Sequence, residues 1–268
     1  MDWLVAEARP TTLILAGWAG SALLMAALWA WHLRLRNAAV VDVGWAASLA
    51  LLAIGYAVVG GGDPTRRWLA GGLMGVWGLR LAVHLYVDRV RGGVAEDARY
   101  RELRESWHTH LGVRFFLFFQ AQALLAALLS WPVAAAASDA RPGLRGVEFA
   151  AFVLWTVSVI GETLADHQLA RFKADPGNRG RVCRVGLWAT SRHPNYFFEW
   201  LVWVAYALFA SASPWGWLAW GCPALMLYLL FRVTGIPATE AHALRSRGDA
   251  YRDYQQTTSA FVPWWPRG

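Results

Sequence analysis

At 268 residues, with 57% hydrophobic and only 16% charged side chains, the chain is too apolar for a soluble domain of its length and reads as a polytopic membrane protein. A net charge of +7 would suit nucleic acid, but no finger or basic recognition helix is present and the arginines sit between apolar runs. Nucleic acid is therefore excluded, and membrane lipid or a phosphate-bearing cofactor is the expected partner. Cys183 and Cys222 lie far apart with no CxxC spacing, so neither a disulfide framework nor a metal site is expected.

About 20 apolar residues are needed to cross the roughly 30 Å hydrocarbon layer. Seven stretches approach that length, near 11–33, 40–60, 67–88, 113–137, 145–166, 196–212 and 214–233, the last two separated by "SASPWG". The first has no small-residue cleavage signature and is expected to be a retained span. Several of the 18 tryptophans, Trp18, Trp29, Trp131, Trp188 and Trp215 among them, fall near the ends of these stretches, where an indole prefers the interface. With the N-terminus outside, segments 34–39, 89–114, 167–195 and 232–268 face inward and carry most of the 25 Lys and Arg residues. Only Arg9, Arg66, Arg67, Arg141 and Arg145 face outward, and Arg80 falls inside a span. The expected fold is all-α: one membrane domain over 1–268, a monomeric seven-transmembrane-helix bundle with its N-terminus out and a cytosolic cap of loops and C-terminal tail.

Ionisable side chains within spans are costly and normally face the bundle interior. Arg80, His84 and Asp88 recur every four residues and share one helical face, flanked by Tyr86 and Arg89. Asp42, in "VVDVGW", reads either as a helix N-cap or as a site residue, and Arg80 with Asp88 either as an ion pair or as part of a site. Glu148 reads as a carboxylate favouring a helix N-terminus. Glu162 and Asp166 stand at the inward end of their helix, where carboxylates oppose the dipole, which points to a ligand role. Asn195 and Glu199 form a further i, i+4 pair.

Between these pairs runs "HQLARFKADPGNRGRVCRVGLWATSRHPNY", a basic loop compacted by turn residues that re-enters the membrane through Arg192 and His193. Free N–H groups at a helix start beside arginines make a phosphate site. Glu162, Asp166 and Glu199 add acceptors for sugar hydroxyls or an amide, a mixture that suits a dinucleotide. No GxGxxG unit is present; "GGGDP" at 60–64 lacks a strand–helix context. Such a cofactor would need an all-helical site.

In order along the chain, "VVDVGWAASL", "WGLRLAVHLYVDRVRG", "EDARYRELRESW", "GLWATSRHPNYFFEW" and "TGIPATEAHALRSRGDAYRDYQQTTSAFVPWWP" resemble the bacterial branch of the steroid 5-alpha-reductase superfamily. Isoprenylcysteine carboxyl methyltransferases and sterol reductases carry a similar "RHPNY" start and "Y..Y" tail, so an S-adenosylmethionine-dependent methyltransferase is the alternative. The resemblance implies a multi-pass protein of the bacterial inner membrane that binds NADPH from the cytosol. It would reduce the C4–C5 double bond of a 3-oxo-4-ene steroid or a similar hydrophobic enone, with hydride passing to the enone β-carbon. Negative charge then develops on the ketone oxygen, which demands a hydrogen-bond donor there. The resemblance places Asp42 and Tyr86 at that ketone, with Val41 where the eukaryotic enzymes have Gln. It also implies cofactor contacts at Arg89, Glu162, Asp166, Lys173, Arg181, Asn195 and Glu199, pocket closure by Asp97, Tyr100, Arg101 and Arg114, and further contacts from Arg192, His193, Tyr196, Glu240 and Tyr254.

Overall fold

The structure, a computed structural model, describes residues 9–92, 95–233 and 235–266. Eleven helices run along these residues and no strand occurs among them: α1 (Pro10–Leu35), α2 (Val40–Val59), α3 (Pro64–Arg89), α4 (Ala98–Trp107), α5 (Leu111–Leu129), α6 (Trp131–Ala137), α7 (Gly146–Ala174), α8 (Pro194–Ala210), α9 (Gly221–Arg232), α10 (Ile236–Arg247) and α11 (Asp249–Thr257). Six stretches are long and apolar enough to span a membrane: α1, α2, α3, α5, α7 and Gly216–Arg247, which takes in α9 and α10. The expected span at 196–212 is α8, whose 17 residues rise only about 26 Å. The expected 113–137 span divides at Leu129, because Pro132 has no N–H to continue the helix; Ser130 caps the break and Pro132 sits in the first turn of α6.

The chain forms two compact units, one of Met1–Gly146 with Phe209–Ala219, the other of Val147–Leu208 with Trp220–Gly268. In the first, α2 and α3 pack with backbones in close approach. A Cβ at Gly71 would lie 2.7 Å from the Ala53 carbonyl oxygen, and one at Gly78 2.9 Å from that of Ala46, so only glycine lets these helices meet. Met25, Val41, Phe115 and Phe119 build a second core where α1 meets α2 and α5. At the end where α3 begins, the Asp63 side chain accepts from Arg66 N at 3.0 Å. The Arg66 side chain is fully buried, 3.6 Å from Asp139, and donates to the Asp139, Arg141 and Gly143 carbonyls. Arg141 and Arg145 both donate to the Ala212 carbonyl, and Arg67 to that of Gly60. Burial would push the Asp139 carboxyl up, but Arg141 and Arg66 outweigh it and hold the pKa at about 2.

In the second unit α7 runs eight residues beyond its expected end at 166. A Cβ at Gly161 would lie 2.5 Å from the Phe198 ring, so α7 and α8 touch through that glycine. The C-terminal tail folds back onto the approach to α8. Arg192 N donates to Ser259 O at 2.8 Å, Ser191 Oγ to Phe261 O at 2.8 Å, and Trp264 N to Thr190 O at 2.9 Å. Phe261 is buried with Leu230 and Ile236 against Phe197 and Trp200. Gly248, at φ +53, turns the chain between α10 and α11.

Candidate functional site

Two groups of polar side chains stand out, one in each unit. In the first unit the opening turn of α2, the last turn of α3 and α4 meet around Asp42. One carboxylate oxygen accepts from Arg89 Nη1 and from Arg99 Nη2 at 3.2 Å, and the other accepts from the Tyr100 hydroxyl at 2.6 Å. Asp97 caps α4, accepting from Arg99 N at 3.0 Å and from the Arg99 guanidinium at 3.2 Å. Asn37 Nδ2 donates to Arg89 O at 2.9 Å, and Glu96 accepts from Ala38 N at 2.8 Å and from Arg104 at 2.9 Å. The α1–α2 turn is thus clamped by residues 89–104. Burial would lower the Arg99 pKa, yet Asp42 and Asp97 raise it; burial and the Asp42 carboxylate both raise Tyr100. Burial likewise pushes the Asp97 carboxyl up, but Arg99 brings it below the usual range.

Several expectations change here. The N-cap position of α2 is Ala39, so Asp42 is not a cap. Its carboxylate oxygens accept from two guanidinium groups and a phenol. Asp42, Arg89, Asp97 and Tyr100 come together, while Arg101, Arg114 and Tyr86 are exposed and stand outside the cluster. The shared face of Arg80, His84 and Asp88 is not a buried one, since His84 and Asp88 are exposed and Asp88 lies 3.8 Å from Arg89. Arg99, Glu96, Arg104 and Asn37 were not anticipated. The alternation of acid and base in "EDARYRELR" was the signal for Glu96, Arg99 and Arg104, while nothing in the sequence marked Asn37.

The second group lines a cavity of about 790 Å³ inside the second unit, within the ~300–1,000 Å³ typical of ligand sites. Its walls are the end of α7, the 175–183 loop, the start of α8, and α10 with α11. Lys173, Arg179, Arg181, Arg192 and Arg247 face it against a single acid, Asp175, so its field is positive. No carboxylate pairs with Lys173, Arg179 or Arg181 among the described residues. Phe172, Trp188, Tyr196 and Tyr251 provide aromatic surface, and the His193 and Tyr196 rings stack at 5.4 Å with an interplanar angle of 6°. Burial raises the pKa of the Cys183 thiol, a lining group, which makes it inert rather than nucleophilic.

Of the residues expected here, Lys173, Arg181, Arg192, His193, Asn195, Tyr196 and Tyr254 line the cavity. Asp166 stands behind it, accepting from Asn195 Nδ2 at 3.2 Å. Glu240 also stands behind, accepting from Arg192 Nε at 2.7 Å and Gln255 Nε2 at 2.8 Å, with His193 Nε2 at 3.3 Å. Glu162 is buried in α7 and Glu199 half-buried in α8; both have other partners and neither lines the cavity. Asp166 and Glu240 thus brace the wall instead of forming it. Arg192 is similarly engaged, since its Nη1 donates to the Gln255 and Thr258 carbonyls at 2.9 and 2.7 Å. The Tyr254 hydroxyl donates to the Trp188 carbonyl and, at 3.1 Å, to that of Ser191, and burial raises its pKa. The N–H groups of Arg192 and His193, which precede α8, are taken by Ser259 O and Ser191 Oγ. The "RHPNY" start and the "Y..Y" tail are tied together in this chain, through Arg192 Nη1 on the Gln255 and Thr258 carbonyls and the Tyr254 hydroxyl on that of Ser191. Arg179, His242, Arg247 and Tyr251 were not anticipated; Thr239, His242, Ala243 and Arg247 recur at helical spacing along one face of α10, which was the available signal.

Residues 28–258, from the second half of α1 through α11, match the family model described as a protein of unknown function, DUF1295. The chain belongs to the DUF1295 family. The matched stretch of this DUF1295 chain includes both the Asp42 cluster and the cavity. No curated protein and no solved structure is significantly similar to it.

Proposed function

We propose that this DUF1295 protein is an NADPH-dependent reductase of a hydrophobic enone, of the 3-oxo-4-ene steroid type. The family is associated with steroid 5-alpha-reductase-like proteins, in line with the resemblance of the motifs. The observation that carries the reading is the positive, aromatic-walled cavity, in which three cations without carboxylate partners stand beside a stacked His–Tyr pair. That donor set fits a phosphate-rich dinucleotide. S-adenosylmethionine has a sulfonium cation and no phosphate, so the same field counts against the methyltransferase alternative.

Lys173, Arg179 and Arg181 would neutralise phosphate groups, and the His193–Tyr196 pair would give a flat base its wall. Asn195, oriented by Asp166, would present its amide. When bound, NADPH supplies a hydride to the β-carbon of the enone. By the resemblance alone, Tyr86 would be the donor to the ketone oxygen, since a phenol has an O–H to give. Asp42 takes a supporting role, holding Arg89, Arg99 and Tyr100. In this reading α8 and the part of the Gly216–Arg247 stretch up to the end of α9 complete seven crossings with the N-terminus out, so that the cavity opens to the cytosol of a bacterial inner membrane. The substrate reaches a monomeric enzyme from the lipid phase.

The test is made on purified protein in lipid nanodiscs. NADPH binding is measured first, then loss of the reduced-nicotinamide absorbance on adding testosterone or progesterone. Binding together with substrate-dependent oxidation is the expected result. Absence of NADPH binding, or methyl transfer to a prenylcysteine analogue, overturns the proposal.

A further inference from the structure

The last described residues of the chain carry a feature that cofactor binding does not use. After Phe261, which is buried, the sequence reads Val262, Pro263, Trp264, Trp265, and the side chains become exposed: Val262 at 49%, Trp264 at 68% and Trp265 at 82%. Two adjacent indoles in that state are unfavourable in water.

Three observations place them in depth. First, the segment is tied to the approach of α8 by Trp264 N donating to Thr190 O and Ser191 Oγ donating to Phe261 O. Second, the Phe261 ring packs 5.2 Å from Phe231, in the last turn of α9, and 5.6 Å from Phe197, in the first turn of α8. The tail therefore lies level with the same end of both helices. Third, α8 rises only about 26 Å against a hydrocarbon layer of roughly 30 Å, so if it crosses, as in the proposed function, its ends and whatever is bound to them are drawn into the boundary region. The exposed residues also continue the exposed apolar flank made by Tyr228 and Phe231 of α9 and by Val233 just beyond it, within a stretch apolar enough to span.

We propose that Val262–Trp265 is an interfacial anchor whose partner is the lipid bilayer, its indoles seated between headgroups and acyl chains. Indoles favour that layer because the ring is apolar while the N–H can still meet water or a headgroup. Pro263 and Pro266 keep the segment extended and remove two backbone N–H groups that would otherwise need partners there. The anchor fixes the tail at the point where it holds Thr190 and Ser191, and so steadies the strap that leads into the cavity wall at Arg192.

The experiment is a collision-accessibility measurement on nanodisc-embedded protein without any cofactor. Trp265→Cys carries a nitroxide, Asp249→Cys serves as the aqueous reference because its side chain is 93% exposed, and wild type is the labelling control because Cys183 and Cys222 are buried. At position 265 oxygen, which concentrates in the bilayer, should relax the label several-fold more effectively relative to a water-soluble nickel chelate than at position 249. Replacing a fifth of the phosphatidylcholine with an anionic lipid should leave that ratio unchanged, because the anchor is indole and not cationic. A ratio equal to that at position 249 overturns the proposal. So does shielding from both reagents, which would mean that protein and not lipid covers the segment. Neither outcome bears on the reductase reading, since no nucleotide enters the measurement.

Discussion

Replacing Arg181 with Gln removes one of three cavity cations that have no carboxylate partner, and its effect on NADPH binding follows from where the charge sits. A guanidinium 4 Å from a phosphate charge is worth about 4 kcal/mol at an effective dielectric constant near 20 and about 1 kcal/mol in bulk water. Arg181 is exposed at the cavity wall, so the water limit is the nearer one, and a loss of about 1–2 kcal/mol is expected. That corresponds to roughly 5- to 30-fold weaker binding. Lys173→Gln acts on the same ligand from the end of α7 and should cost a similar amount. Titration calorimetry in nanodiscs measures both, at low salt and again at 0.5 M salt, where screening should shrink the difference between wild type and variant. Affinity of Arg181→Gln within a factor of two of wild type at low salt would refute the electrostatic reasoning. So would an effect that grows with salt.

Three other outcomes are expected. Tyr86→Phe should leave NADPH affinity intact and lower turnover by about 10²- to 10³-fold, the usual cost of one donor to a developing oxyanion, as read by single-turnover absorbance; unchanged turnover removes Tyr86 from the ketone. Arg192→Met leaves the half-buried Glu240 carboxylate without its closest cation and should destabilise the protein by about 3 kcal/mol, whereas Arg192→Met with Glu240→Gln should recover part of that loss in a thermal unfolding assay. Because the Asp139 pKa is held at about 2 in the folded state, its contribution is complete above the unfolded value near 3.9 and is lost as pH falls through about 2. Asp139→Asn should therefore lower the unfolding temperature at neutral pH by the equivalent of roughly 2 kcal/mol, and the gap to wild type should close on acidification; a gap independent of pH would contradict the assignment.

The helices were largely legible because hydrophobic runs and their interruptions are local properties. The apolar stretches became helices, but the break at Pro132 inside the expected 113–137 span and the turn at Gly248 between α10 and α11 were not read from the sequence. Site residues were legible where charged or polar side chains lay in an unusual place, as with Lys173, Arg181 and Asn195, which all reach the cavity wall. The partner of each charge was not. Asp42 gave no hint that it would meet Arg99, because the two are separated by 57 residues and joined only when α4 docks. Nor did Arg192 show that its guanidinium would go to Glu240 and two tail carbonyls instead of a ligand.

The sequence by itself determined a helical membrane protein, the approximate limits of most of its apolar stretches, and the basic character of the 167–195 segment, since composition and spacing along the chain are enough for each. Tertiary structure alone decided which of those charges face a cavity and which are spent bracing it. A guanidinium looks the same in sequence whether it meets a carboxylate, a backbone carbonyl or open space, and only the folding back of a distant segment chooses among them. The return of residues 254–264 onto 188–192 is that choice for this protein, and it turns a tyrosine and an arginine that resemble ligand contacts into the ties that hold the wall in place.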